Sequence, residues 1–223
     1  KKLFESLLAY AREVRFLGEN ERSGIQLYSY EVGFREAERE KAFVELTRQG
    51  GMLCTMTFHR DVPEVKLSDA QCAQSAQAFL RAIGLSDMAK TESPVQTDLN
   101  GGTAVYSFCY CKNQIYCYAD RVLVKVACDT GEILGYEGYA YLLNHCDRAE
   151  SAEGSTVPTV SADAARAEVN PHLEIQTVRE CYLGNVYGSE DHFYEFRCTG
   201  LGHEFCIYID AETGEEERIE IAA

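Results

Sequence analysis

Apolar residues recur at every second position through the middle of this chain, in Val122–Tyr139, VLVKVACDTGEILGYEGY. Val122, Val124 and Val126 are interleaved with Leu123, Lys125 and Ala127. A period of two suits a pleated strand with one buried face. Asp129-Thr130-Gly131 breaks the pattern and reads as a tight turn, because glycine takes positive φ without steric cost. The device recurs in Phe205–Ile221, turning at Thr213-Gly214, and in Phe43–Phe58, turning at Gly50-Gly51. With Gly51, Gly131 and Gly214 aligned, the residues five and seven places earlier are apolar in every copy: Leu46 and Val44, Val126 and Val124, Ile209 and Ile207. These glycines lie 80 and 83 residues apart, which marks an internal repeat.

The remaining periodicity predicts how each repeat begins. Leu3, Leu7, Leu8, Ala11 and Val14 share one stripe if residues 3–17 are helical, with Gly18 and Asn20 as the stop. Strands are predicted at Ile25–Phe34, Lys41–Leu46 and Met52–His59, with a charged turn around Glu36–Arg39. Ser68 reads as the N-cap of a helix over Asp69–Ile83 whose face is Ala73, Ala76, Leu80 and Ile83, closed by Gly84. After a polar loop (Thr91–Gly102) come strands at Thr103–Cys111, Gln114–Tyr118 running into Val122–Cys128, and Glu132–Tyr141. Residues 149–156, AESAEGST, are a linker. Ser161 caps a shorter helix, Ala162–Val169, followed by strands at Glu174–Leu183, Phe193–Thr199, Glu204–Ile209 and Glu216–Ile221. The expected fold class is α+β, with tandem repeats each formed by a helix on an antiparallel meander. The repeats are placed at residues 1–62, 63–148 and 157–223, the first of them degenerate.

Charge narrows the partners. The formal net charge is −15, so DNA, RNA and anionic lipid surfaces are unfavourable ligands and a basic protein surface is allowed. No window holds the ~20 apolar residues that a membrane-spanning helix needs. The chain opens Lys-Lys-Leu-Phe, without Met or a signal segment, and reads as a fragment or a processed product. Ten cysteines are many for 223 residues, but most sit in strand-like runs such as SFCYC and EFCIY, where a thiol serves as a small buried hydrophobe. Buried thiols are the first reading, with one or two cross-strand disulfides as the second.

Catalytic signatures are absent. The chain has no G-x-S-x-G, H-E-x-x-H or P-loop motif, and Gly200-Leu201-Gly202 lacks a third glycine. His145-Cys146 and His203-x-x-Cys206 have no C-x-x-C companion, so no metal and no cofactor is expected. Glu215-Glu216-Glu217 reads as a solvated turn and edge strand. The candidate partner-contact patch is Tyr136, Glu137 and Tyr139, since tyrosines beside a charge suit interfaces. Asp129 is expected to be a turn residue rather than an acid catalyst.

The segments LVKVACDTGEIL (Leu123–Leu134), CIYIDAETGE (Cys206–Glu215) and, degenerately, VELTRQGGML (Val44–Leu53) resemble the closing hairpin of the PepSY domain. LSDAQCAQSAQAFLRAIGL, YADRVLVKVACDTGEILGYEGYAYLLNH, YEFRCTG and IDAETGEEERI occur in an order similar to that in the C-terminal region of the YpeB family of spore germination proteins. This resemblance covers roughly residues 25–222; the cysteine richness departs from it. It implies a non-enzymatic protein of endospore-forming bacteria, anchored by an N-terminal membrane segment absent here. Its repeats would lie outside the inner spore membrane. The implied partner is a spore cortex-lytic hydrolase of SleB type, each protein needing the other for stable accumulation. The resemblance carries over no catalytic residue. Two other readings stay open: a general extracytoplasmic protease inhibitor presenting a strand edge, and a thiol or metal-dependent enzyme.

Overall fold

The computed structural model describes residues 11–34, 41–91, 102–146, 158–184 and 189–222. The predicted linker, the charged turn at Glu36–Arg39 and most of the polar loop after Thr91 lie outside the described residues. The chain divides into two compact units, one of residues up to Cys109 with Asp120–Asn144, the other of Tyr110–Ala119 with His145 onward.

The first unit opens with a hairpin where a helix was expected. Residues 11–17 belong to β1 (Ala11–Arg22), which pairs antiparallel with β2 (Ile25–Phe34). The earlier part of the predicted helix lies outside the described residues. Ser23 and Gly24 both have positive φ, the two-residue turn whose twist matches flanking strands. Phe16 packs against Tyr30 and Tyr28, with ring centroids 5.5 and 5.9 Å apart. These long-range contacts prevail over helix propensities worth well under ~1 kcal/mol per residue. The meander continues with β3 (Ala42–Thr47) and β4 (Leu53–Phe58).

Ser68 caps α1 (Asp69–Ala82) through a capping box with Gln71. Its buried stripe is Cys72, Ala76, Phe79 and Leu80, rotated from the expected face so that Phe79 points inward and Ala73 and Ile83 are half-buried. A phenyl ring buries more apolar area than a methyl, and that difference turns the helix. Then come β5 (Met88–Lys90), β6 (Thr103–Lys112), the single long strand β7 (Ile115–Ala127) and β8 (Ile133–Glu137). Val122, Val124 and Val126 are fully buried as the alternation predicts, while Lys125 is exposed. β8 lies between β7 and β4, with Met56 opposite Tyr136 and Tyr136 opposite Val124.

The predicted strand Glu132–Tyr141 ends at Glu137, and α2 (Tyr139–Asn144) replaces its last residues. Glu137 Oε1 accepts the Tyr139 N–H at 2.9 Å, satisfying one of the donors that a helix start leaves orphaned.

In the second unit, Ser161 caps α3 (Ala162–Glu168), which precedes the antiparallel meander β9 (Glu174–Gly184), β10 (Glu190–Gly200), β11 (His203–Asp210) and β12 (Glu216–Ala222). Tyr194, Phe196, Cys198, Ile207 and Ile209 pack with Ala165 and Val169 on the α3 face. Each large apolar side chain buried there contributes about 1.5–3 kcal/mol. Phe193, Cys181 and Tyr208 pack on the opposite face with Tyr116 and Tyr118. Ile115–Cys117 of β7 pairs parallel with β9, a departure from the purely antiparallel meander expected. All ten cysteines are thiols, and seven are buried.

Candidate functional site

The three hairpins share one backbone hydrogen-bond pattern. Thr47, Ala127 and Asp210 each donate their N–H to the carbonyl five residues on, at Met52, Glu132 and Glu215, over 2.8–2.9 Å. The next residue in each copy, Arg48, Cys128 and Ala211, donates to the carbonyl of Gln26, Gly102 and His192. Gly51, Gly131 and Gly214 all have positive φ, 61°, 78° and 77°. The threonine of the Thr-Gly pair has its own function: Thr130 Oγ1 and Thr213 Oγ1 accept the N–H groups of Glu132 and Glu215.

Two of these turns also press against the start of a helix. A Cβ added at Gly131 would stand 2.7 Å from Ser75 Oγ and 3.3 Å from Leu67 Cδ1; one at Gly214 would stand 3.3 Å from Val160 Cγ2. The Cys128 carbonyl accepts the N–H groups of Lys66 and Leu67, and the Ala211 carbonyl accepts that of Val160. Tyr106 Oη donates to the Asp69 carbonyl at 3.0 Å and Tyr194 Oη to the Val160 carbonyl at 2.9 Å, so a strand tyrosine ties down the start of each helix. At Gly51 the space is open.

The middle hairpin carries an ion cluster that the sequence does not announce. All five N–H donors of Arg60 are used: two on the Asp129 carboxylate, one on Glu132 Oε2, one on Thr130 Oγ1 and one on the Asp61 carbonyl, at 2.7–2.9 Å. Those bonds hold the Asp129 carboxyl at about 2, below its ordinary 3.8. Asp129 is a turn residue committed to a guanidinium. A second carboxylate is buried in the other unit. Glu195 is 1% exposed, accepts the Tyr118 hydroxyl at 2.5 Å and pairs with Arg197 Nε at 3.1 Å. Burial and that neighbouring carboxylate push the Tyr118 phenol well above its ordinary range.

The structure separates the three residues of the expected contact patch. Tyr136 is 4% exposed, meets Phe79 of α1 edge to face at 5.7 Å, and is a core residue, not a surface one. Its hydroxyl also fills the place a Cβ would need at Gly138. Tyr139 is half-buried beneath the Arg22 guanidinium, 5.1 Å from the ring centroid, and its hydroxyl is buried with no hydrogen-bond partner among the described residues. Glu137 alone is exposed. Strand alternation sends neighbours to opposite faces, and α2 then carries Tyr139 away from both.

Among the described residues no three His, Cys, Asp or Glu side chains gather as a metal site. Open surface of another kind lies at β12, which pairs only with β11 among the described strands. Glu215, Glu216 and Glu217 are exposed at its start, and Ile219 and Ile221 along it are 53% and 64% exposed.

Closing hairpins of one pattern, two of them seated on a capped helix, place the chain in the PepSY class. A family model described as YpeB sporulation, PepSY1 and PepSY2 domains matches residues 6–151. The chain belongs to this YpeB family. It is 34% identical to the sporulation protein YpeB of Halalkalibacterium halodurans over 198 residues, covering 88% of this chain and 42% of that protein. The YpeB of Bacillus subtilis is 25% identical over 193 residues, covering 86% of this chain and 41% of that protein. The chain therefore spans about two fifths of the length of these relatives. In fold it matches the Bacillus megaterium YpeB C-terminal domain with a TM-score of 0.82 at 21% identity, over 98% of this chain and 94% of that one.

Proposed function

We propose that this chain is a non-enzymatic binding module of a spore germination protein, and that it holds and stabilises, or restrains, a cortex-lytic peptidoglycan hydrolase of SleB type. Its three hairpins mark three PepSY repeats, at 1–62, 63–148 and 157–223, the second and third each a helix on a meander. In the whole protein an N-terminal segment anchors these repeats outside the inner spore membrane. Membership of a family whose relatives are named as sporulation proteins supports the reading. The observation that carries the non-enzymatic part is the commitment of three partly or fully buried carboxylates. Asp129 and Glu132 are bound by Arg60, and Glu195 is held by Tyr118 and Arg197. These carboxylates hold strands and turns together, a structural use rather than an acid–base one.

The test is made in spores. Removing the full-length protein is expected to deplete the hydrolase on immunoblots and to slow cortex hydrolysis during germination, with both restored by complementation. Unchanged hydrolase level and unchanged cortex hydrolysis would overturn the proposal.

A further inference from the structure

We infer that the outer edge of β12 is a docking strand for an extended basic segment of the partner, one that alternates Lys or Arg with apolar residues. This rests on the partner-binding reading above and names the surface that would serve it.

Among the described strands β12 has a neighbour on one side only, β11, so every second residue turns a backbone N–H and C=O outward. Ile219 lies opposite Ile207 and Ile221 opposite Phe205, which places both on the face that α3 covers elsewhere. That helix has seven residues and leaves these two isoleucines in solvent. Two exposed apolar side chains two positions apart match the alternate side chains of an added strand.

Charge selects the occupant. From Asp210 to Ile221 the chain carries six carboxylates and one guanidinium, and that guanidinium, Arg218, is paired with Glu220. A second copy of this chain would lay the same negative strand alongside, and like charges across a strand pair are destabilising. A basic strand finds carboxylates at Glu215, Glu216 and Glu217 and apolar contacts at Ile219 and Ile221. The edge strand of the first unit, β1, also exposes apolar residues (Val14, Phe16 and Leu17), but its charges balance at three Arg and three Glu, so it has no such selectivity.

The probe is a fluorescent eight-residue peptide alternating lysine and valine, added at low salt to the 223-residue chain. Binding is read by anisotropy and its place by amide hydrogen exchange. Slowed exchange is expected along β12. A tenfold or greater loss of affinity is expected in Glu216→Lys/Glu217→Lys, in a glutamate–valine peptide, and in a lysine–valine peptide N-methylated at alternate residues. Equal binding of the N-methylated peptide, protection at β1 instead, or a dimer joined through β12 would each overturn the inference. Pull-down of the hydrolase separates the two proposals. Undiminished capture by Glu216→Lys/Glu217→Lys removes the docking edge and leaves the partner standing. If the unaltered chain fails to capture the hydrolase while the peptide still docks on β12, the edge stands and the partner reading falls.

Discussion

Arg60 grips Asp129 with both terminal nitrogens, at 2.7 and 2.8 Å, across 69 residues of chain. The pair ties the segment after β4 to the turn that follows β7. It does so with side chains only 16% and 11% exposed, where charge-assisted bonds are little screened.

Breaking that grip has a defined signature. Arg60→Ala leaves Asp129 and Glu132 without their counter-ion and is expected to cost about 2–3 kcal/mol in urea denaturation. Asp129 is held at about 2, against an ordinary 3.8, so its contribution is complete above pH ~4 and is lost as pH falls toward ~2. Asp129→Asn should therefore lower stability at neutral pH and flatten the acid limb of the stability profile. A variant whose acid limb matches the parent would assign the pH dependence to other carboxylates.

The turn glycines should differ from one another. Gly51→Ala meets only the backbone penalty of positive φ, on the order of 1–2 kcal/mol. Gly131→Ala adds a collision with Ser75 Oγ and is expected to cost more. Ser75→Ala removes that oxygen, so the double variant should recover part of the loss. Thermal or urea midpoints for the four proteins of this cycle measure the coupling directly, and simple additivity would show that Ser75 is not what forbids a side chain there.

Thiol chemistry reports the burial of the cysteines. In the native protein Cys146, which is exposed, should react first with a disulfide reagent, followed by the half-buried Cys111 and Cys206. Burial pushes the Cys54, Cys128 and Cys206 thiols up to about 11, which leaves little thiolate at neutral pH. All ten should react after denaturation without a reductant. Fewer than ten would point to a disulfide, the second reading of the sequence.

Local pattern alone determined much of this protein. Alternation at Val122, Val124 and Val126, the glycines at 51, 131 and 214, and the serine caps at 68 and 161 specify the hairpins, their repetition and two helix starts. Each is a short-range rule about φ, a pleat or an orphan N–H, so it needs no knowledge of distant residues.

Tertiary structure decided the rest, because those outcomes depend on what arrives from far along the chain. Residues 11–17 fit a helical stripe as well as a strand until Tyr28 and Tyr30 supply a partner for Phe16. The sequence has no mark pairing Arg60 with Asp129, since residue spacing carries no sign of a contact closed through the fold. Tyr136, Glu137 and Tyr139 are neighbours in sequence, yet one is core, one a helix cap and one lies under Arg22. Pleat and helix start set those directions, and only the packed sheet shows which of them meets water.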